Sequence, residues 1–469
     1  MRQLSGTDSL FLALERGNQH AHVAGLSIYD PSTAPGGVVR FKGILEFFAS
    51  RLNVAKLFRS RLVHVPFGLD RPYWVGDADI DIEYHIRHIA LPHPGDWRQL
   101  CIQVARIHSR PLDLTRPAWE AYVIEGLDNI PGVPHGSFAM YLKLHHSAID
   151  GEAGAVLIKA IHSLTPEPEE PSTEPEAPIA DPEPTAIELL SRTVGSRFKQ
   201  TLAATDLLAD IAPVALAMGR KQLEAVLTPP EADGPDQDEA TRGKPPVTRF
   251  NAPLSPHRVI EAIPFAMDEV RKIRKAFEGV TVNDVFMAAC AGALRRYLEA
   301  KGELPDTALI AFVPMTTRGS VKDAEAGNQI GMAEMPLFTQ VADDAKRLQM
   351  IHLGSKKGKR AAEALGKNLP AKLFQVLPTT LARYAQQYVI IPRINLTISN
   401  VRGPDVPLYM AGARLHVFMP ISMLLDGMGL NITGFSYNGV LWICAVSDRA
   451  MMPDPGFFAE CFQDSIAAL

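Results

Sequence analysis

Two acidic, proline-rich breaks decide how this chain of 469 residues can fold. Residues 166–185 (PEPEEPSTEPEAPIADPEPT) carry seven acidic side chains and no basic one, and residues 229–246 (PPEADGPDQDEATRGKPP) are of similar character. Such stretches cannot bury enough apolar surface to offset the entropy of ordering them, so both read as solvated linkers. They divide the chain into a block at 1–165, a linker region at 166–246 and a block at 247–469. Each outer block exceeds the ~150 residues of an ordinary domain. Inside the linker region, Ala186–Leu227 returns to helical spacing. Ile187, Leu190, Val194, Phe198 and Leu202 recur on one stripe with Arg192, Arg197 and Lys199 between them, and Pro213 should kink or end the helix. Such a helix either bridges two domains or lies on a lipid surface.

Composition narrows the function. With 46% hydrophobic and 21% charged residues the chain is a globular protein with ample core. No apolar run reaches the ~18–20 residues that cross a bilayer. The first residues lack the apolar core of a signal peptide, and a cytoplasmic protein is expected. Cys101, Cys290, Cys444 and Cys461 stand far apart without a CxxC pair, which disfavours a zinc ribbon and a disulfide scaffold. The net charge is −5, from 47 basic and 52 acidic residues; without 166–185 the balance is 47 against 45. Nucleic acid needs a concentrated basic surface and is not an expected partner.

Both outer blocks mix strands and helices. Ser5-x-x-Asp8 is a capping signal for a helix over Ser9–Glu15. Phe138, Met140, Leu142 and Leu144 alternate with Ala139, Tyr141 and Lys143 as a strand, and Glu152–Leu164 returns to helical spacing. Strands are expected at Leu309–Val313, Ile394–Ile398, Leu415–Met419 and Val440–Val446, and a helix at Asp284–Leu298. Asn438-Gly439 is a hairpin signal. No repeat is visible. The class is α/β or mixed α+β, in two domains.

Between the strand and the helix at 152 stands His145-His146-Ser147-Ala148-Ile149-Asp150-Gly151. An imidazole titrates near neutrality, and a strand end is a rigid mount for it. Taken alone, the pair could equally fill space, since neighbouring strand residues point to opposite faces. Metal binding finds no third ligand cluster. A serine-hydrolase elbow fails at Gly434-Phe-Ser436-Tyr-Asn438, which ends in Asn, and Gly427-x-Gly429-x-x-Ile432 fails as a dinucleotide fingerprint.

HHSAIDG matches the HHxxxDG motif of acyltransferases with the chloramphenicol acetyltransferase-like fold. Nearly the whole chain resembles the bacterial wax ester synthase/diacylglycerol acyltransferase (WS/DGAT) family. LSGTDSLFLALE is similar to that family's opening segment and RPLDLTRPAWEAYVIEGL to its PLW segment. TVNDVFMAA matches its ND motif and ISNVRGP its SNVPGP-like motif. GNQIGMAEMPL and GFSYNGVLWICAVSD resemble later segments. Two positions depart: Ala118 stands for Leu in PLW, and Arg402 for Pro in SNVPGP.

The resemblance implies two chloramphenicol acetyltransferase-like domains with the active site in a channel between them. The reaction it implies is transfer of an acyl group from acyl-CoA, the co-substrate, to a long-chain alcohol or diacylglycerol, with no cofactor or metal. His146 would be the general base, His145 and Asp150 would support the geometry, and Gly151 completes the motif. Asn283 and Asp284 at a helix start, and Ser399 and Asn400 at a strand end, are candidates for the oxyanion or channel. Asn283 could also merely cap its helix. Lys356, Lys357, Lys359 and Arg360 lie in the densest basic stretch, with Lys346, Arg347, Lys367 and Lys372. They suit CoA phosphates or lipid headgroups, or simply form a solvated helix face. Trp74, Trp97, Trp119 and Trp442 read as packing residues. Another acyl or condensation reaction on the same fold, or a non-catalytic protein at a membrane or lipid-droplet surface, are the alternatives.

Overall fold

Ser5 caps the first helix: its Oγ accepts the backbone N–H of Asp8 at 3.0 Å. The helix α1 (Gly6–Leu14) therefore starts immediately after Ser5, three residues before the sequence reading, and ends at Glu15, which is already extended. The computed structural model describes residues 1–149, 158, 160–167, 180–197, 244–316, 330–364 and 376–469.

In chain order the strands are β1 (Arg2–Gln3), β2 (His22–Asp30), β3 (Ser60–Val63), β4 (Tyr73–Gly76), β5 (Ile86–Ala90), β6 (Trp119–Glu125), β7 (Phe138–His145) and β8 (Arg258–Ala266). There follow β9 (Ile310–Thr316), β10 (Ile330–Pro336), β11 (Leu396–Arg402), β12 (Tyr409–Met410), β13 (Ala413–Ile421), β14 (Leu430–Tyr437) and β15 (Val440–Asp448). One six-stranded sheet runs β12-β13-β2-β7-β6-β5 and the other β10-β9-β11-β14-β15-β8; β1, β4 and β3 form a small third sheet. Both large sheets mix parallel and antiparallel pairs. The class is mixed α/β.

The hairpin β12–β13 crosses over. Although it lies in the C-terminal block, β13 pairs antiparallel with β2 of the N-terminal sheet, from Arg414 opposite Asp30 to Ile421 opposite Ala24. The two blocks also share a core, in which Leu100 and Val104 lie in one cluster with Val259 and Ile260. Trp97 adds a hydrogen bond from its indole N–H to Glu261 at 2.6 Å.

β7 is buried on both faces. Phe138, Met140, Leu142 and Leu144 join a cluster containing Phe48, Phe58 and Trp119, while Ala139 and Tyr141 join the shared core. Lys143 interrupts this pattern with a fully buried charge. Its Nζ lies 2.5 Å from Glu120 and donates to the carbonyls of Ile107 and Arg110. A buried ammonium is tolerated only with such partners.

In the second sheet, Asn438 and Gly439 both adopt positive φ (46° and 82°), as the tight β14–β15 turn requires. The helix Val282–Ala300 is buried for most of its length. At Gly292 an ideal Cβ would stand 2.1 Å from Ser465 Oγ and 2.8 Å from Arg347 Nη2, so the helix Pro455–Ala467 can approach only because no side chain is present.

Residues 186–197 are helical, and Leu189 packs with Val65, Tyr73 and Val75 on the small sheet. Ile187 and Val194 of the predicted stripe face solvent. The remainder of the Ala186–Leu227 segment, including Pro213, and most of Glu152–Leu164 lie outside the described residues. Trp119 packs against Phe58 and His85.

Candidate active site

The site begins where β7 stops. His145 closes the strand: it sits opposite His22 in the β2–β7 register, and its N–H donates to Ala118 O at 2.9 Å. The next N–H, that of His146, donates to Ala21 O at 2.8 Å and opens a 3-10 turn over His146–Ala148. Both histidines are thus pinned by backbone bonds to neighbouring segments.

Their rings go separate ways. His145 is fully buried, and its Nδ1 accepts the Ser147 N–H at 3.2 Å and lies 2.6 Å from Ser147 Oγ. A backbone N–H can only donate, so Nδ1 carries no proton and the ring proton sits on Nε2. Nε2 faces Glu15 Oε1 at 3.4 Å, and the same oxygen accepts the Ala21 N–H at 2.9 Å. Burial alone would raise the Glu15 carboxyl. The facing His145 ring, the Ala21 N–H and nearby His20 outweigh it and hold its pKa below the usual value.

His146 is half-buried, and its ring lies on Phe11 with centroids 3.9 Å apart and planes 16° from parallel. Its Nδ1 is buried and has no hydrogen-bond partner among the described residues. Burial pushes the imidazole down to about 4, and neighbouring His145 acts in the same direction. The ring is therefore neutral at physiological pH. Phe11 lies on α1 and Glu15 is the extended residue that ends it, so this helix and its C-terminal cap touch both histidines. The sequence reading placed this helix but gave neither residue a role; their signal was their place in the segment LSGTDSLFLALE.

More imidazoles lie beside the pair. His22 Nε2 lies 2.7 Å from His108 O, and His108 Nδ1 lies 2.8 Å from Tyr141 OH. Burial pushes His22 well below its ordinary value and His108 down to about 3.

A second group of candidates meets at the start of the helix Val282–Ala300. Thr281, not Asn283, is the cap, in a reciprocal box with Asp284. The buried Asp284 carboxylate accepts from Thr281 N–H and Oγ, His352 Nδ1 (2.8 Å) and Ser355 Oγ (2.9 Å). These bonds outweigh the effect of burial and lower its pKa. Asn283 is thereby free of capping and accepts from Asn400 Nδ2 at 3.3 Å. Asn400 belongs to β11, opposite Gly434, and Ser399 precedes it half-buried. The helix start and the strand end are thus brought together as a pair. Among the described residues no hydrogen bond or ring contact joins Asn283 or Asn400 to His145 or His146.

Lys356 and Lys357 are exposed on the helix Asp344–Ala364. Arg347 of the same basic stretch is not at the surface: it is fully buried and paired with Asp344. The side chains of Lys359 and Arg360, and all of Asp150, Gly151, Lys367 and Lys372, lie outside the described residues. Ala118 is buried among Leu4, Leu62 and Trp74, and exposed Arg402 is neutralised by Asp405 at 3.2 Å. No group of three or more His, Cys, Asp or Glu able to hold a metal occurs among the described residues.

Residues 4–286 match the model of the wax ester synthase/diacylglycerol acyltransferase catalytic domain, and residues 326–469 that of the WS/DGAT C-terminal domain. The chain belongs to this family. It is an acyltransferase. A protein of Mycobacterium tuberculosis named as a diacylglycerol O-acyltransferase is 33% identical over all of this chain and 90% of its own length. Another from that organism is 35% identical over 95% of this chain and 94% of its own. The solved wax ester synthase/diacylglycerol acyltransferase of Marinobacter aquaeolei aligns over 99% of this acyltransferase and 98% of that chain, with a TM-score of 0.68 and 28% identity. The first condensation domain of the calcium-dependent antibiotic synthetase shares the fold, with a TM-score of 0.57 at 14% identity over 100% of this chain and 97% of its own.

Proposed function

We propose that this acyltransferase moves a long-chain acyl group from acyl-CoA directly to a fatty alcohol or diacylglycerol, with His146 as the general base. The observation that carries the reading is a neutral, half-buried imidazole held between the strand end and Phe11, beside the Glu15–His145 pair. A neutral ring can accept the hydroxyl proton as the acceptor oxygen attacks the thioester carbonyl. The tetrahedral intermediate then collapses, the C–S bond breaks, and the imidazolium returns its proton to the CoA thiolate. The low proton affinity of a buried imidazolium favours that second step.

Direct transfer is supported by the cysteines. All four are buried, and burial pushes their thiols up, so none is poised as a thiolate to carry an acyl group. In this reading Asn283 and Asn400 support the oxyanion or line the channel, and Asp284 positions Asn283. Asp150 holds the loop after the histidines. Lys356, Lys357, Lys359 and Arg360 attract the CoA phosphates or lipid headgroups. The enzyme works at the periphery of a membrane or lipid droplet, where its acceptors reside; no helix among the described residues is long and apolar enough to span one.

Purified protein incubated with palmitoyl-CoA and either hexadecanol or dipalmitoylglycerol should yield wax ester or triacylglycerol by lipid chromatography. His146→Ala should remain folded and lose at least ~100-fold in ester formation, the scale of positioned acid–base catalysis. Near-normal turnover in that variant would remove His146 from the mechanism.

A further inference from the structure

Residues 379–393 form a continuous helical stretch: an α-helix over Thr379–Ala385, a π turn over Gln386–Ile390 and a 3-10 turn over Ile391–Arg393. One face is packed. Ala382 and Ile391 are buried in a cluster with Leu10 and Leu14, so the stretch rests on α1, the helix whose Phe11 lies on His146.

The other face is apolar and uncovered. Leu381, Tyr384, Tyr388 and Val389 are 56%, 61%, 62% and 56% exposed, and the two tyrosine rings stand 4.7 Å apart. Scattered exposed apolar residues are ordinary; four within nine positions, two of them tyrosine, mark an interaction surface. Tyrosine suits the boundary of hydrocarbon and water, where its ring is apolar and its hydroxyl wet.

Charge selects the partner. From Ala364 to Pro404 the sequence holds Lys367, Lys372, Arg383, Arg393 and Arg402 and no acidic residue, in a chain that is acidic overall. Arg393 is bridged to Glu334 and Arg402 to Asp405, while Arg383 is exposed in the last turn of the Thr379–Ala385 helix. An amphipathic helix with an apolar, aromatic face and basic flanks is built for an anionic lipid interface. The same stretch also walls a cleft of about 400 Å³ through Gln387, Ile391 and Pro392, with Arg16 and Asp426 opposite.

We infer that the Leu381–Tyr384–Tyr388–Val389 face docks this acyltransferase on the anionic phospholipid surface of a membrane. Docking there puts α1, and through Phe11 the catalytic imidazole, directly behind the contact. The inference rests on the acyl-transfer reading and adds to it the element that meets the lipid.

Flotation of full-length protein with phosphatidylcholine–phosphatidylglycerol vesicles (about 3:1) and with pure phosphatidylcholine vesicles tests it. Wild type should float with the anionic vesicles and far less with the neutral ones. Leu381→Ser/Tyr388→Ser should reduce flotation by at least about fivefold, since it removes apolar contact at the interface. Its thermal unfolding, and its ester formation from butyryl-CoA and octanol free in solution, should match wild type. Phe67→Ser, an exposed residue outside the 379–393 stretch, should float normally. Undiminished flotation of the double variant, or failure of wild type to bind anionic vesicles, overturns the docking assignment. So does a wild-type dimer in sedimentation that this variant dissociates, which would make the face a contact between copies. Failure of the acyl-transfer reading shows separately, as absence of ester from the soluble pair in wild type.

Discussion

The ring of Phe11 lies flat on that of His146, 3.9 Å between centroids. Among the described residues His146 Nδ1 has no hydrogen-bond partner, and the stack and the backbone bond to Ala21 hold the ring. Phe11→Ala should leave the imidazole loosely held. The expected result is a fall in kcat of roughly tenfold with little change in the KM for acyl-CoA, as positional precision is lost. Phe11→Leu should retain more activity than Ala. Equal and near-normal kcat in both variants would reduce the stack to packing.

Glu15 acts on the partner ring. Its carboxylate faces the protonated Nε2 of His145, whose Nδ1 is committed to Ser147. Glu15→Gln keeps an acceptor for the Ala21 N–H but removes the charge. If the His145 ring supports the proposed His146 base, activity should fall about tenfold or more, while urea unfolding shifts by only about 1 kcal/mol. A loss of activity fully explained by unfolding would assign Glu15 a stabilising role alone.

Buried neutral histidines make the fold acid-labile. Burial pushes His108 down to about 3 and His162 down to about 4, against an ordinary value of 6.5. Below 6.5 the unfolded chain binds these protons and the folded one does not. Stability is therefore fully present above 6.5 and is lost as the pH falls toward the folded values. Each group steepens the loss by up to ~1.4 kcal/mol per pH unit within its window. Urea midpoints measured from pH 7 to pH 4 should fall throughout; a flat profile would contradict the burial of these rings.

Much of this was legible beforehand because it is local. Ser5 as a cap, the alternation of 138–144 and the Asn438-Gly439 turn each depend on residues within a few positions, and the structure contains all three. The passage of β13 into the sheet of β2 was not legible, since Leu415–Met419 shows apolar alternation without naming the strand it pairs with. Arg347 looked like part of a basic surface because sequence does not reveal that Asp344 and a helix crossing enclose it. In the site, the histidines were visible as a motif, and Asn283 and Asn400 were grouped as candidates for one channel without the hydrogen bond that joins them. Phe11 and Glu15 were hidden for a related reason: the helix that carries Phe11 and ends at Glu15 is recognisable, but its partner is a strand end more than a hundred residues away.

Asp284 and Asn283 are adjacent but should fail in different ways. The Asp284 carboxylate gathers Thr281, His352 and Ser355, all of which lose a partner in Asp284→Ala. Leaving buried donors unpaired costs about 1–3 kcal/mol each, so that variant should be strongly destabilised and lose activity along with structure. Asn283 is half-buried, and its side-chain hydrogen bond to Asn400 is exposed, so Asn283→Ala should unfold at nearly the wild-type urea concentration. If Asn283 supports the oxyanion, its kcat should nonetheless drop by about a hundredfold, the usual cost of one lost donor. Wild-type kcat in Asn283→Ala would leave the helix start as a structural junction and assign the oxyanion donor to another group.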